Sequence, residues 1–264
     1  MEQLICLVTG GTSGIGREIA CRLSQMGHRV YTLSRRPNGS DSIPHLSADL
    51  TDDAQVTAAI DQIYAAEGRL DLVVNNAGFG ISGAVEFTSS EEALRQLDLN
   101  FFGMVRVNRA VLSRMREQGG GRIVNVSSVA GMIPIPFQTY YSASKAAINA
   151  YSLALANEVR PFGISVCGVA PGDVKTDFTA SRSKNHQGDD LYGGRISRSV
   201  AGMEKDEEKG MSAQKVGKAI CGIALKRKVR PIYVIGGSYR LLCVLAKILP
   251  LGLTNRIVGR LYAR

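Results

Sequence analysis

Leu4-Ile5-Cys6-Leu7-Val8-Thr9-Gly10-Gly11-Thr12-Ser13-Gly14-Ile15-Gly16 decides the fold of this 264-residue chain. Its first five residues form an unbroken apolar run, as expected of a parallel strand buried on both faces. Glycines interrupt it, and apolar residues then return at helical spacing through Ile15, Ile19, Ala20, Leu23 and Met26. Strand, glycine turn and helix in that order make an anion site. The free N–H groups and the helix dipole favour a pyrophosphate, and the glycines let it approach. The spacing G-x-x-x-G-x-G departs from G-x-G-x-x-G. Gly10, Thr12, Ser13, Gly14, Ile15 and Gly16 are nevertheless expected to hold a dinucleotide.

Working outward, a second strand (Arg29 to Leu33) ends at Ser34, Arg35 and Arg36. In dinucleotide folds an acid at this point binds the ribose 2′-hydroxyl, whereas arginine accommodates a 2′-phosphate. The acid is absent, so NADP(H) is expected in preference to NAD(H). Asp49 and Leu50 follow a third extended piece, where Asp49 can accept from the adenine amino group. Thr51 is expected to cap a helix running to about Glu67. The fourth strand, Leu70 to Val74, ends in Asn75-Asn76-Ala77-Gly78, and Asn76, Ala77 and Gly78 are small enough to let backbone pass close to a nucleotide. Ser89-Ser90-Glu91-Glu92 reads as a capping box opening one long helix that carries Asn100 and extends to about Gln118. A fifth strand, Arg122 to Val126, delivers Ser127 and Ser128.

Thirteen residues after Ser128 stands Tyr141, with Lys145 four residues further on. On a helix the pair share a face. A nearby ammonium favours the phenolate and is expected to pull the tyrosine below its ordinary value near 10. A tyrosine so tuned can exchange a proton with an alcohol or a carbonyl. Tyr140 lacks a lysine at this spacing and is expected to line a pocket or to pack.

Taken together, TGGTSGIG at 9–16, NNAG at 75–78, Asn100, Ser128, YSASK at 141–145 and Pro171-Gly172-x-Val174-x-Thr176 resemble the short-chain dehydrogenase/reductase family, over about residues 3–236. The resemblance implies an α/β, Rossmann-type doubly wound parallel sheet of seven strands in the order 3-2-1-4-5-6-7, a single three-layer α/β/α domain. It implies a catalytic tetrad of Asn100, Ser128, Tyr141 and Lys145, with Ser127 a structural neighbour. Ser128 and Tyr141 would meet the substrate oxygen and Tyr141 would pass the proton. Lys145 would bias Tyr141 and bond the nicotinamide ribose, and Asn100 would hold a relay water. Pro171, Gly172, Val174 and Thr176 match positions that touch the nicotinamide, and Phe137 and Phe178 are expected beside the substrate. Homodimers or homotetramers are usual in the family.

The domain is read as residues 1–236, with 177–210 a polar, unperiodic substrate lid, followed by an amphipathic helical extension over 237–264. This tail is similar to the branch that handles steroids, retinoids and other lipophilic alcohols. A hydroxysteroid is therefore the preferred substrate over a 3-oxoacyl thioester, and a non-catalytic NADP-binding regulator is disfavoured because no tetrad residue is missing. Twelve basic and no acidic residues lie from Lys209 to Arg264, so the net charge of +9 belongs to the tail. Basic and core-type apolar residues interleave there, which argues against nucleic acid. Packing on the domain, at the cleft or an oligomer contact, is preferred over a peripheral membrane helix. With no long apolar span, no signal-peptide pattern and scattered cysteines and histidines, a reduced, cytoplasmic protein without a metal site is expected.

Overall fold

Along β1 (Ile5–Thr9) every residue is buried, and alternate side chains enter opposite cores. Ile5 and Leu7 join one cluster, Cys6 and Val8 the other, as the two-residue period of a strand requires. The computed structural model describes residues 2–36 and 42–263. Six further strands lie parallel to β1: β2 (Arg29–Ser34), β3 (His45–Ser47), β4 (Leu72–Asn75), β5 (Gly121–Val126), β6 (Ile164–Pro171) and β7 (Ile232–Ile235). Their order is 3-2-1-4-5-6-7, as the resemblance implied. Helices α2 (Asp53–Glu67), α4 (Gly103–Glu117) and α5 (Thr139–Glu158) cover one face through Val56, Ile60, Ile63, Val107, Val111, Met115 and Leu155. Helix α1 (Gly14–Gln25) and α8 (Ala213–Ala224) cover the other through Ile19, Leu23, Val216 and Ile220. Each such side chain contributes about 1.5–3 kcal/mol by leaving water, so both faces of the sheet are held strongly.

A polar row crosses this apolar sheet. Asn75 Nδ2 donates to Asn108 Oδ1 at 2.8 Å and to Asn125 Oδ1 at 2.9 Å, and Asn125 Nδ2 donates to Ser152 Oγ at 2.9 Å. Asn75 and Asn125 are also register partners between β4 and β5.

Local chemistry shifts several boundaries. The cap of α2 is Asp52, whose side chain accepts from the Ala54 and Gln55 N–H groups; Thr51, the expected cap, instead donates its own N–H and hydroxyl to Asp49. The helix expected from Ser89 to Gln118 is two helices, α3 (Ser90–Leu97) and α4, joined by a π-helical turn at Asp98–Phe102. The capping box of Ser89 and Glu92 is present as read. Residues 177–210 are not unperiodic. They hold α6 (Phe178–Ser181) and α7 (Arg195–Glu208), and α7 buries Ile196, Ser199, Val200 and Met203 at helical spacing against Ala84. A serine within that stripe and a charged second half mask the pattern.

The tail forms α9 (Gly237–Ile248) and α10 (Leu251–Tyr262), which bury one residue each, Cys243 and Val258. Tyr239 fastens α9 to the domain. Its ring lies where a Cβ on Gly172 would come within 2.2 Å, and its hydroxyl donates to Asp173 Oδ2 at 2.6 Å. Among the described residues no helix is long and apolar enough to cross a membrane.

Candidate active site

The carboxyl ends of β1, β2, β4, β5 and β6 open into one cavity of about 850 Å³. At one side are Gly10, Thr12, Ser13, Gly14 and Ile15, with Ser34, Arg35, Arg36, Asp49 and Leu50; Asn76, Ala77, Gly78, Pro171, Gly172, Val174 and Thr176 continue the wall. Every expected cofactor residue except Gly16 therefore faces the same space. Gly16 is buried beneath it, where a Cβ would sit 2.2 Å from the Gly10 carbonyl oxygen and 2.5 Å from Asn76 Nδ2. Its part is to allow the turn to close.

This cradle fits a dinucleotide. Gly10 has φ +63°, and a Cβ there would press to 2.9 Å from Ala77 Cα. The Ser13 hydroxyl makes no cap bond to α1, so the first-turn N–H groups remain for an anion. Asn76 ties the turn to the next strand, its N–H donating to Thr9 Oγ1 at 3.0 Å and its Nδ2 to the Thr9 carbonyl at 3.2 Å. Arg35 is largely exposed and pairs with Asp49 at 3.8 Å. Burial works to raise the Asp49 carboxyl, but the two Thr51 bonds and Arg35 outweigh it and hold the group low. Asp49 is thus an anion ready to accept from an amino group.

The tetrad residues come together from three elements. Ser128 stands two residues past the end of β5 and its Oγ accepts from the Ala130 N–H at 3.1 Å, while its hydroxyl also bonds the Tyr141 phenol. Ser127, which also borders the cavity, donates its hydroxyl to the Lys145 carbonyl at 2.9 Å. Close approach of these segments depends on Gly131, where a Cβ would come within 2.5 Å of the Lys145 carbonyl carbon. Asn100 sits in the π-helical turn, a distortion frequent at functional sites. It is buried behind Gly78 and does not line the cavity. Its Oδ1 accepts from the Phe79 N–H, and its Nδ2 donates to the Phe79 carbonyl and to Ser144 Oγ. Ser144 in turn donates to the Tyr141 carbonyl at 2.8 Å. Asn100 therefore braces the start of α5.

The electrostatics differ from expectation at one point. Burial pushes the Tyr141 phenol up to about 12, against the pull of the Ser128 bond and, more weakly, of Arg182. The expected lowering by Lys145 is not what governs it: Lys145 Nζ donates to the Val126 carbonyl at 2.9 Å and lies 5.7 Å from the centre of the tyrosine ring. Burial lowers Lys145 itself to about 8. Tyr141 is thus a protonated donor at neutral pH, and Lys145 is a cation close to its own titration.

Of the two phenylalanines expected near substrate, Phe178 lines the cavity 5.7 Å from the Tyr141 ring. Phe137 does not: it packs with Tyr192 in the cluster under α7, and its backbone, at φ +59°, gives its carbonyl to the Gly83 N–H. Other groups went unread. Asp173 and Glu207 line the cavity, and Arg182, buried under Phe178, is paired with Glu207. The far wall comes from Leu242, Leu245, Leu249, Ile257 and Leu261 of the tail. Spacing on α9 and α10 hinted at this wall, but no local signal marks Arg182 or Glu207, which meet only through the fold.

Comparison with known proteins agrees with this geometry. The family model described as short chain dehydrogenase matches residues 4–187. A 3-ketodihydrosphingosine reductase of Bacteroides thetaiotaomicron is 43% identical over 231 residues, covering 86% of this chain and 86% of its own. A short-chain dehydrogenase from Streptomyces avermitilis superposes with a TM-score of 0.83 at 30% identity, over 97% of this chain and 98% of that one. ElxO with NADP bound superposes with a TM-score of 0.76 at 26% identity, over 91% of this chain and 100% of that one. The chain belongs to the short-chain dehydrogenase/reductase family and is an oxidoreductase acting between C=O and CH–OH groups.

Proposed function

We propose that this protein reduces the ketone of a long-chain lipid with NADPH, and that the substrate class is a 3-keto sphingoid base. The observation that carries the reading is one continuous cavity. It joins Ser128 and Tyr141 to the apolar wall of Leu242, Leu245, Leu249, Ile257 and Leu261, which suits a carbonyl at one end and a hydrocarbon chain along the tail. The relative named for that activity aligns over most of both chains. Asp173 and Glu207, also on the wall, are compatible with an amino group near the ketone. A hydroxysteroid, expected from the tail alone, stands second because the same apolar wall accepts a rigid ring system.

A nicotinamide cofactor held by this cradle would supply the hydride. Ser128 and Tyr141 donate hydrogen bonds to the carbonyl oxygen as it gains charge, and one such donor is typically worth about 3–4 kcal/mol. Tyr141 then passes its proton to the nascent alkoxide, a transfer favoured by its protonated state. Lys145 holds positive charge beside the site, and Asn100 fixes the helix turn that carries Tyr141. Arg35 and Arg36 favour the 2′-phosphate form of the cofactor. The test is turnover of NADPH with a 3-keto sphingoid base, a 3-ketosteroid and a 3-oxoacyl thioester in parallel. The sphingoid ketone is expected to give the highest kcat/KM by about ten-fold or more. A steroid or thioester that outruns it removes the substrate assignment and leaves the reaction class intact.

A further inference from the structure

The tail helices leave far more apolar surface bare than the rest of the chain. Of sixteen large hydrophobic residues exposed among the described residues, nine lie on α9 and α10. Leu241, Val244, Leu245 and Ile248 recur at helical spacing on α9, and Ile248 and Leu251 are 74% and 83% exposed. Concentrated exposure of this kind marks an interaction surface. Arg240, Lys247, Arg256 and Arg260 stand exposed among these residues, and no acidic side chain follows Glu208. The two tyrosines that fasten the tail, Tyr239 and Tyr262, meet Asp173 and Asp206 on the domain side. Negative charge thus lies inward, and the outward face is apolar and basic.

Four residues, Leu242, Leu245, Ile257 and Leu261, are at once exposed and part of the cavity wall. The mouth of the cavity therefore opens on this same face. We propose that α9 and α10 lie flat on an anionic phospholipid surface, so that the cavity opens into the lipid phase and receives its substrate from there. Charge complementarity selects this occupant. A bilayer rich in acidic headgroups answers the cations while its acyl region takes the leucines, whereas a second copy would set two basic faces against each other. The helices are short and carry charge, so they rest in the interface and do not span it.

The test is flotation of the purified full chain with vesicles of phosphatidylcholine containing phosphatidylglycerol, and with phosphatidylcholine alone, at low and high salt. It requires no substrate, so its outcome is independent of the sphingoid assignment. The protein is expected to float with the anionic vesicles, and less with neutral ones or at high salt. The triple variant Leu241→Ser, Ile248→Ser, Leu251→Ser changes outward residues that do not line the cavity. It is expected to lower the bound fraction about ten-fold or more, with thermal melting and NADPH binding unchanged. Wild type that stays at the bottom with both vesicles overturns the proposal. So does a wild type that dimerises through this face, ignores vesicles and becomes monomeric in the triple variant.

Discussion

At Tyr141 two influences compete, and burial wins over the hydrogen bond from Ser128 and the weaker pull of Arg182. The sequence pairing Tyr141 with Lys145 was legible because four residues make one helical turn. The direction of the phenol's shift was not, since it depends on how much water α6 and the tail exclude. Tyr141→Phe removes the proton donor and leaves the ring, so turnover is expected to drop by about 10²–10⁴-fold with NADPH affinity retained, as read by stopped-flow absorbance and fluorescence titration. Parent-like turnover in that variant defeats the assignment. Lys145 is lowered to about 8 and Tyr141 raised to about 12. In the reductive direction kcat/KM is expected to fall as pH rises through about 8, where the lysine loses its charge while the tyrosine keeps its proton. A rate profile flat to pH 10 would remove the lysine's charge from the mechanism. Arg35 is the third case. Charged hydrogen bonds to phosphate are worth about 1.5–3 kcal/mol, so Arg35→Ala is expected to cut the preference for NADPH over NADH by roughly ten-fold or more. Equal preference in parent and variant contradicts its role.

Among elements, those that positioned the site were readable where chemistry is local: the strand before Gly10, the capping box at Ser89, the helix carrying Tyr141. They were misread where tertiary packing overrides pattern. The π-helical turn at Asp98–Phe102 leaves no mark in a continuous helical sequence, and the bonds Asn100 makes there to Phe79 and Ser144 are long-range contacts. Phe137 looked like a pocket aromatic, yet the chain turns there at positive φ and sends the ring under α7. The turn at Gly131, just after β5, packs directly against the backbone of α5. Adding a methyl in Gly131→Ala forces these elements apart, since it would stand 2.5 Å from backbone in α5. Misplacement of about 1 Å at a reacting group can cost about 10²-fold. Single-turnover rate is expected to fall by that order in protein that still melts cooperatively, and an unchanged rate would show that the joint does not set the geometry.

For the whole molecule, the strand order followed from the family resemblance carried by the motifs together, and a tail at the cleft was legible from its apolar spacing, whereas the particular residues by which α7 and the tail wall the cavity were not, because they meet others far apart in sequence. The buried and half-buried thiols and phenols suggest a bulk property. Burial raises Cys167 and Cys221 to about 11, raises Tyr64, Tyr141 and Tyr262 to about 12, and raises Cys6 and Tyr239 further. Each holds its proton more tightly folded than unfolded, so stability falls as pH climbs from about 9 through these values. Lys145 opposes this between about 8 and its ordinary 10.5, but it is one group against seven. The midpoint of thermal unfolding is expected to drop steadily above pH 9, measured by circular dichroism under reducing conditions; a rise would mean these groups are hydrated. The amide row through Asn75 and Asn125 carries a last consequence. A slide of β5 by a single position along β4 would strand both amides in hydrocarbon, at about 1–3 kcal/mol for each lost partner. The pair thus works as an index mark during sheet assembly, and it sets the depth to which Ser128, three residues after Asn125 and just past the strand's end, is delivered.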